Sequence, residues 1–533
     1  MGHIEVNGVS YALDDGTPLM RRISFRVDEG SVTALVGPNG SGKTTLLRML
    51  AGDVEPDEGS VSVGGRLAVM RQFIGSIRDD TTVESLLTQL CPPSLRRAGE
   101  SLAAAEARVR RSPDEKSQFT YAQALADWGD LGGYAEEVAW DTCTTAAIGL
   151  AFSEARSRQV ASLSGGEQKR VVLHYVFASE ADVLILDEPD NYLDVPGKEW
   201  LEEMLRATRK TVLIVSHDRE LLRRAATRIV TLEPGPFGCG AWVHGAGMAT
   251  YHQAREDRLE RLDELRRRWD EDLARLKAIV AEYRRKAAYN SDFSSKLRSA
   301  EHRLARFVES GPPEEVPRAQ RISMRLRGGR TGKRALVCRS LSLDGLTDAF
   351  DLEVVYGERV GVLGPNGTGK SHFLRLLAGD AVGHSGEAVL GARVVPGHFA
   401  QTHEHAEFAD GTIADLLARA FDLSAEQAIA ALGRYELSRS RRQSFDTLSG
   451  GQQARLQILM LELSGATMLL LDEPTDNLDV ESAEALEAGL SSFEGTVLAV
   501  THDRFFAASL DRFVVFSDDG RVVESPTPVW SER

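Results

Sequence analysis

"GPNGSGKTT" at residues 37–45 returns 327 positions later as "GPNGTGKSH" at residues 364–372, and the reading of this pair decides the fold. Both copies satisfy G-x-x-x-x-G-K-[ST]. Each follows a strand-like apolar run ("SVTALV", "RVGVL") and opens a helix-like apolar periodicity. In that setting the glycines let successive backbone N–H groups wrap phosphate groups, and the start of the following helix adds favourable potential. The candidate nucleotide-binding residues are therefore Gly37, Pro38, Asn39, Gly40, Ser41, Gly42, Lys43, Thr44 and Thr45 in the first copy. In the second they are Gly364, Pro365, Asn366, Gly367, Thr368, Gly369, Lys370, Ser371 and His372. Lys43 and Lys370 are placed to hold the β and γ phosphates, and Thr44 and Ser371 to ligate magnesium.

Moving outward, three more blocks recur at a constant offset of 285. "LSGGEQKR" at 163–170 returns as "LSGGQQAR", "VLILDEP" at 183–189 as "MLLLDEP", and "TVLIVSHDR" at 211–219 as "TVLAVTHDR". The runs "VLIL" and "MLLL" read as strands of a parallel sheet, buried on both faces and ending in two carboxylates. The first of each pair, Asp187 or Asp472, suits a metal's water shell; the second, Glu188 or Glu473, suits a general base acting on water. His217 and His502 each end a further apolar strand, where an imidazole can sense a terminal phosphate. Ser164 with Glu167 and Ser449 with Gln452 make S-x-x-[EQ] capping boxes; Gly165, Gly166, Gly450 and Gly451 then leave bare backbone in an anion-receptive first turn. The reading is an α/β chain with two P-loop nucleotide domains in tandem.

The lysine-to-lysine offset exceeds the later offset by 42 residues, so the first half carries an insertion, expected near 95–135. "SLRRAGESLAAAEARVRR" is rich in helix formers, and "SPDE" at 112–115 offers Ser112 as N-cap, Pro113 as first helical residue and Glu115 as its capping-box partner. A projecting helical hairpin is expected. A second hairpin is expected between the halves. Leu259, Leu262, Leu265, Trp269, Leu273, Leu276, Val280 and Tyr283 form one seam, and Leu297, Ala300, Leu304 and Phe307 a shorter one. The tip is expected near 288–296, and "GPPEEVP" breaks the helix before an extended basic strip at 318–334. The domains are thus read as 1–249, 250–333 and 334–533.

Composition excludes several classes. The chain has 42% hydrophobic and 27% charged residues and no apolar run of about 18. Cys91, Cys143, Cys239 and Cys338 form no C-x-x-C pair, against a zinc or disulfide framework. The start "MGHIEVNGVSYALDDG" lacks a signal-peptide layout, so the cytoplasm is the expected compartment. The net charge of −16 is unevenly spread: residues 250–334 hold 22 Lys and Arg against 14 Asp and Glu. Basic helices on an acidic body fit an RNA partner reached through the linker. Arg284, Arg285, Lys286, Lys296, Arg298, Arg303 and Arg306 are the candidate RNA contacts.

P-loop, SGG signature, LDE strand and switch histidine, in that order and twice, resemble the ATP-binding-cassette (ABC) ATPases. Two fused cassettes without membrane spans, an arm in the first and a charged hairpin between them, resemble the ABC-F family. The resemblance implies ATP and Mg2+ as cofactors. It also implies head-to-tail closure, with 37–44 joining Ser449, Gly450 and Gly451 and 364–371 joining Ser164, Gly165 and Gly166. Gln72 and Gln401 fall at the family's Gln-loop positions, and Tyr11 resembles its adenine-stacking aromatic. No aromatic stands between Arg334 and Leu346, so weaker base binding is expected in the second cassette. The usual E-P-T-N-H-L-D is here "EPDNYLD" and "EPTDNLD", which departs at Asp190, Tyr192, Asp476 and Asn477. The family implies a monomer whose cassettes pair within the chain and whose hairpin docks on ribosomal RNA near the P-site tRNA. Such proteins modulate translation or relieve ribosome-targeting antibiotics such as macrolides. The alternative is the ATP-binding subunit of a drug exporter with a separate membrane partner.

Overall fold

The computed structural model describes residues 2–289, 293–317, 322–400 and 411–530. Each half is built on a six-stranded sheet of the same order. In the first, the spatial order is Leu67–Met70, Val183–Asp187, Thr211–Val215, Val32–Val36, Arg228–Glu233 and Gly240–His244. In the second it is Pro396–Phe399, Met468–Asp472, Thr496–Val500, Arg359–Leu363, Arg512–Phe516 and Val522–Ser525. All pairings are parallel except the last of each. A smaller antiparallel sheet of three strands accompanies each: Pro18–Val27, His3–Ala12 and Glu58–Gly64, then Phe350–Val355, Arg334–Leu343 and His384–Leu390.

The unbroken apolar runs follow from burial on both faces. Val183 and Ile185 face the core shared with the small sheet, whereas Leu184 and Leu186 face the helical core on the other side. Met468 and Leu470, against Leu469 and Leu471, repeat that division. The carboxylates that end these strands are thus carried on the most rigid part of each half.

The insertion is a helical pair, Pro93–Arg111 and Glu115–Asp130. Its cap corrects the expectation. Asp114, not Ser112, caps the second helix by accepting from the Ser117 N–H at 2.7 Å, while Ser112 closes the first helix and donates to Asp114 Oδ2 at 3.1 Å. A carboxylate is the stronger acceptor at an N-cap, and Pro113 holds the preceding residue extended.

The linker helices are Met248–Ala287, about 60 Å long at 1.5 Å per residue, and Phe293–Glu309. They pair antiparallel through Trp269 stacked on Phe307 (centroids 5.6 Å apart), Tyr283 against Phe293, and an Arg284–Glu301 ion pair of 2.7 Å. The tip is shorter than expected, since Phe293 already begins the second helix; residues 290–292 and the start of the basic strip at 318–321 lie outside the described residues. Beyond it, Met324 and Leu326 sink into the second core, and Glu462 accepts from the Arg325 N–H.

Candidate nucleotide sites at the cassette interface

Each P-loop closes around its own lysine. Lys43 Nζ donates to the carbonyls of Gly37 (2.7 Å) and Pro38 (3.2 Å), and Lys370 Nζ to those of Gly364 (2.8 Å) and Pro365 (2.6 Å). Burial lowers the pKa of both, opposed by Asp479 and Glu188 at Lys43 and by Glu473 and Asp472 at Lys370. The last glycines, Gly42 (φ 94°) and Gly369 (φ 97°), turn left-handed into the helices Lys43–Leu50 and Lys370–Ala378. A Cβ on Gly42 would also strike Met20 Cε at 2.6 Å, so the turn needs glycine twice over. Ser41 and Thr368 are buried in their loops, whereas Thr44 and His372 are exposed.

The two loops face the opposite half. Asn39 N–H donates to Asp479 Oδ2 at 2.9 Å and its Nδ2 to the Asn477 carbonyl at 3.0 Å; a Cβ on Gly451 would sit 1.8 Å from that Nδ2. Reciprocally, Asn366 Nδ2 donates to the Tyr192 carbonyl at 3.1 Å, 3.7 Å from where a Gly166 Cβ would lie. The signature turns present themselves as read from the sequence: Ser164 with Glu167, and Ser449 with Gln452, each complete a capping box ahead of bare glycines.

Between the first P-loop and the second signature lies a cavity of about 1050 Å³. Thr44, Gln72, Asp187 and Glu188 wall it from one side, and Phe445, Gly450, Gln453 and Asn477 from the other. Its size suits a nucleotide. The Thr44 hydroxyl stands beside Asp187 and favours its charged form, while the buried Asp187 Oδ1 has no hydrogen-bond partner. Burial, with Glu188 alongside, raises the Asp187 pKa to about 7. A hydroxyl beside a carboxylate with one oxygen unsatisfied fits a magnesium ion carried by ATP.

The candidate bases share a backbone and differ in their side-chain partners. Glu188 (φ 49°) and Glu473 (φ 48°) both occupy the left-handed region, a strained conformation held by the strand-to-loop turn. Glu188 Oε2 accepts from Gln72 Nε2 at 3.0 Å and Asn191 Nδ2 at 2.8 Å, within the cavity. Glu473 is buried and turns back to accept from the His502 N–H at 3.0 Å. Burial, reinforced by Asp476 and Asp472, raises its pKa well above the ordinary value. His502 Nε2 also meets Asn366 Oδ1 at 3.2 Å, which puts switch histidine, base and P-loop of the second site in one cluster. Burial and Lys43 lower the His217 pKa to about 4, and burial and Lys370 lower that of His502 well below its ordinary value, so both imidazoles are neutral at pH 7.

Tyr11 stands half-buried on the small sheet, paired with Met20, outside the cavity wall. At the matching place in the second half, Leu343 and Leu346 lie against Gly369. Gln401 lies outside the described residues. The structure adds residues that motif reading missed: Asn191, which orients Glu188, and the buried Lys169 and Lys198. Lys169 donates to the Glu188 carbonyl and lies over the Tyr192 ring. The repeat offers a signal for both lysines, since their counterparts 285 residues on are Ala454 and Ala483. Arg284, Arg285, Lys286, Lys296, Arg298, Arg303 and Arg306 are all exposed on the hairpin; Arg284 pairs with Glu301 and Lys286 with Glu282.

Two doubly covered α/β halves, each with a P-loop facing the other's signature turn, define a tandem ATP-binding-cassette ATPase. Residues 20–191 and 347–476 match the family model described as ABC transporter. The chain is 56% identical over 551 residues to an antibiotic resistance protein of Mycobacteroides abscessus, covering 99% of this chain and 100% of that one. It is 30% identical over 528 residues to the ABC transporter F family member 5 of Arabidopsis thaliana, covering 95% of this chain and 73% of that one. A crystallised archaeal ribosome recycling factor, in complex with a ribosomal stalk protein, shares the fold at a TM-score of 0.56 and 21% identity, over 95% of this chain and 87% of that one. The chain belongs to the ABC-F family. It is an ATP-binding ATPase, and among its described residues no helix is long and apolar enough to cross a membrane.

Proposed function

We propose that this ATPase binds Mg2+-ATP at two composite sites and uses cassette closure to control docking of its linker hairpin on the ribosome, against ribosomal RNA and P-site tRNA. The observation that carries the reading is where the hairpin is rooted. Its first helix is tied to the first cassette by Tyr251 Oη with Thr231 Oγ1 (3.0 Å) and by Arg258 with Glu233 (2.6 Å). The same helix is tied to the second cassette by Arg255 with Glu481 at 2.6 Å. A lever fixed to both lobes must move when they separate, and its far end carries seven exposed cations suited to phosphates. We assign the domains as 1–249, 250–333 and 334–533, acting as a cytoplasmic monomer.

At each site Thr44 with Asp187, or Ser371 with Asp472, would hold the metal, which neutralises phosphate charge when bound. Glu188 and Glu473 would take the proton of the attacking water, and Gln72 with Asn191 orients Glu188 toward it. His217 and His502, being neutral, can donate one hydrogen bond to a terminal phosphate. Ser164, Gly165, Gly166, Ser449, Gly450 and Gly451 would complete the phosphate cradle from the opposite cassette. The name of the relative at 56% identity, an antibiotic resistance protein, favours a resistance role over general translation control, and we extend that role to ribosome-targeting antibiotics, macrolides among them.

The test is co-sedimentation of Glu188→Gln/Glu473→Gln with 70S ribosomes in ATP. Retention is expected, with a steep fall in retention as salt rises. Adding Arg298→Glu, Arg303→Glu and Arg306→Glu should cut it about tenfold or more. Partition into membranes instead would favour the ATP-binding subunit of an exporter.

A further inference from the structure

The 285-residue repeat relates two charge triads across the cassette interface. Arg219 meets Asp503 (3.4 Å) and Glu487; its counterpart Arg504 meets Asp218 (3.7 Å) and Glu202. Each arginine follows a switch histidine by two residues, so the two switch loops are clasped symmetrically. One side chain breaks the symmetry. Lys198, 6% exposed, ion-pairs with Asp218 of its own cassette at 3.0 Å and donates to the carbonyl oxygen of His502 in the other at 3.3 Å. Its counterpart is Ala483, so the first switch loop receives no such reach from the second cassette.

We propose that Lys198 is a positioning residue acting in trans: it fixes the His502 loop, and through it Glu473, only when the cassettes are closed, so turnover at the second site is conditional on docking in a way that turnover at the first is not. The chain of contact is short. The His502 carbonyl receives Lys198 while the His502 N–H holds Glu473 Oε2 at 3.0 Å, so one residue's backbone links the lysine of one cassette to the base of the other. The lysine is kept charged. Burial works against its ammonium but is outweighed by Asp218, Asp190 and Asp476, and its pKa stands above the ordinary lysine value. Asp190 and Asp476 are two of the departures from the family's loop pattern, and Asp190 stands where the second cassette has Thr475. Those departures thus gain a shared reason: they provide the negative surroundings that a trans-acting lysine needs. Asp218 does not depend on Lys198 alone, since it also accepts from the Leu221 N–H at 2.9 Å and faces Arg504. The first site's switch loop should therefore survive loss of the lysine.

The inference rests on Glu188 and Glu473 being the bases of hydrolysis, and the experiment separates the two. Steady-state ATPase is measured for Lys198→Met in a Glu188→Gln background, where the second site alone turns over, and in a Glu473→Gln background, where the first does. Expected is a fall in kcat of about tenfold or more in the first background and less than about threefold in the second, with KM for ATP within about twofold in both. Lys198→Met/Asp190→Asn, which removes a charge of each sign, should melt within a few degrees of its parent and keep the same contrast between backgrounds. Equal losses in both backgrounds, or a loss carried by KM, would overturn the trans-positioning role while leaving the glutamates as bases. Turnover surviving undiminished in Glu188→Gln/Glu473→Gln would overturn that assignment, and the second-site role with it.

Discussion

The two candidate nucleotide sites of this chain come from one repeated sequence and hold their candidate bases in different ways. At the first, Glu188 is turned into the cavity by two amide donors, Gln72 and Asn191. At the second, the residue in the place of Asn191 is Asp476, whose side chain has no N–H to give, and the Glu473 carboxylate folds back on the His502 backbone N–H instead. One loop position contributes to the contrast: an amide beside a carboxylate orients it, while burial together with a second carboxylate favours the protonated form of Glu473. Duplication therefore preserves the backbone frame, including the strained φ at both glutamates, more faithfully than it preserves the local electrostatics.

The largest effect that could break this contrast is removal of the bases themselves. Glu188→Gln/Glu473→Gln should lower hydrolysis by about 10²–10⁴-fold. The single substitutions should leave unequal remainders. Single-turnover assays of the two single variants check it, and equal rates from the two sites would mean that the different partners of Glu188 and Glu473 do not matter to chemistry.

A smaller effect sharpens the comparison by exchanging the loop residues. Asn191→Asp places a carboxylate against Glu188 and removes a donor, and should lower first-site turnover, read in a Glu473→Gln background, by about tenfold. Asp476→Asn offers Glu473 a loop amide like the one Asn191 gives Glu188 and should raise second-site turnover, read in a Glu188→Gln background. If neither substitution moves its site, orientation by the loop amide is not part of the mechanism.

Much of this was legible before any coordinates, and the reasons are physical. P-loop glycines, the capping boxes at Ser164 and Ser449, and the strands before Asp187 and Asp472 are local solutions to local problems, so short motifs carry them. The hairpin seam was legible because heptad-like spacing encodes a face; its tip was not, because Phe293 gains a place against Tyr283 that only the packed pair provides. Asp114 was missed as a cap because two acceptors, Ser112 and Asp114, lie within one turn and their strengths differ. Lys169 and Lys198 were missed for a deeper reason. A lysine in a helix reads as a solvated side chain; only the folded lobe shows Lys169 taken up by the Glu188 carbonyl and the Tyr192 ring of its own cassette, and only the facing lobe lets Lys198 reach the His502 carbonyl across the interface.

The smallest expected effect tests whether charge differences between the halves reach stability as well as chemistry. Glu220, one residue past Arg219, binds Arg223 and Arg224 in the first cassette; the matching residues of the second are Phe505, Ala508 and Ser509. The hydrogen bond from Arg223, against the opposing effect of burial, lowers the Glu220 pKa from 4.5 to about 2. A carboxyl with a folded pKa below its unfolded one adds stability that is fully present above pH 4.5 and is lost as pH falls toward 2. Glu220→Gln should therefore lower the melting temperature of the nucleotide-free chain by a few degrees at pH 6, with the gap from the parent closing through that window. Phe505→Ala removes no charge, so its gap should not change with pH over the same range. Parallel pH–melting curves for both variants would show instead that the Glu220 cluster is held by packing, and that the two halves differ in electrostatics only where they meet nucleotide.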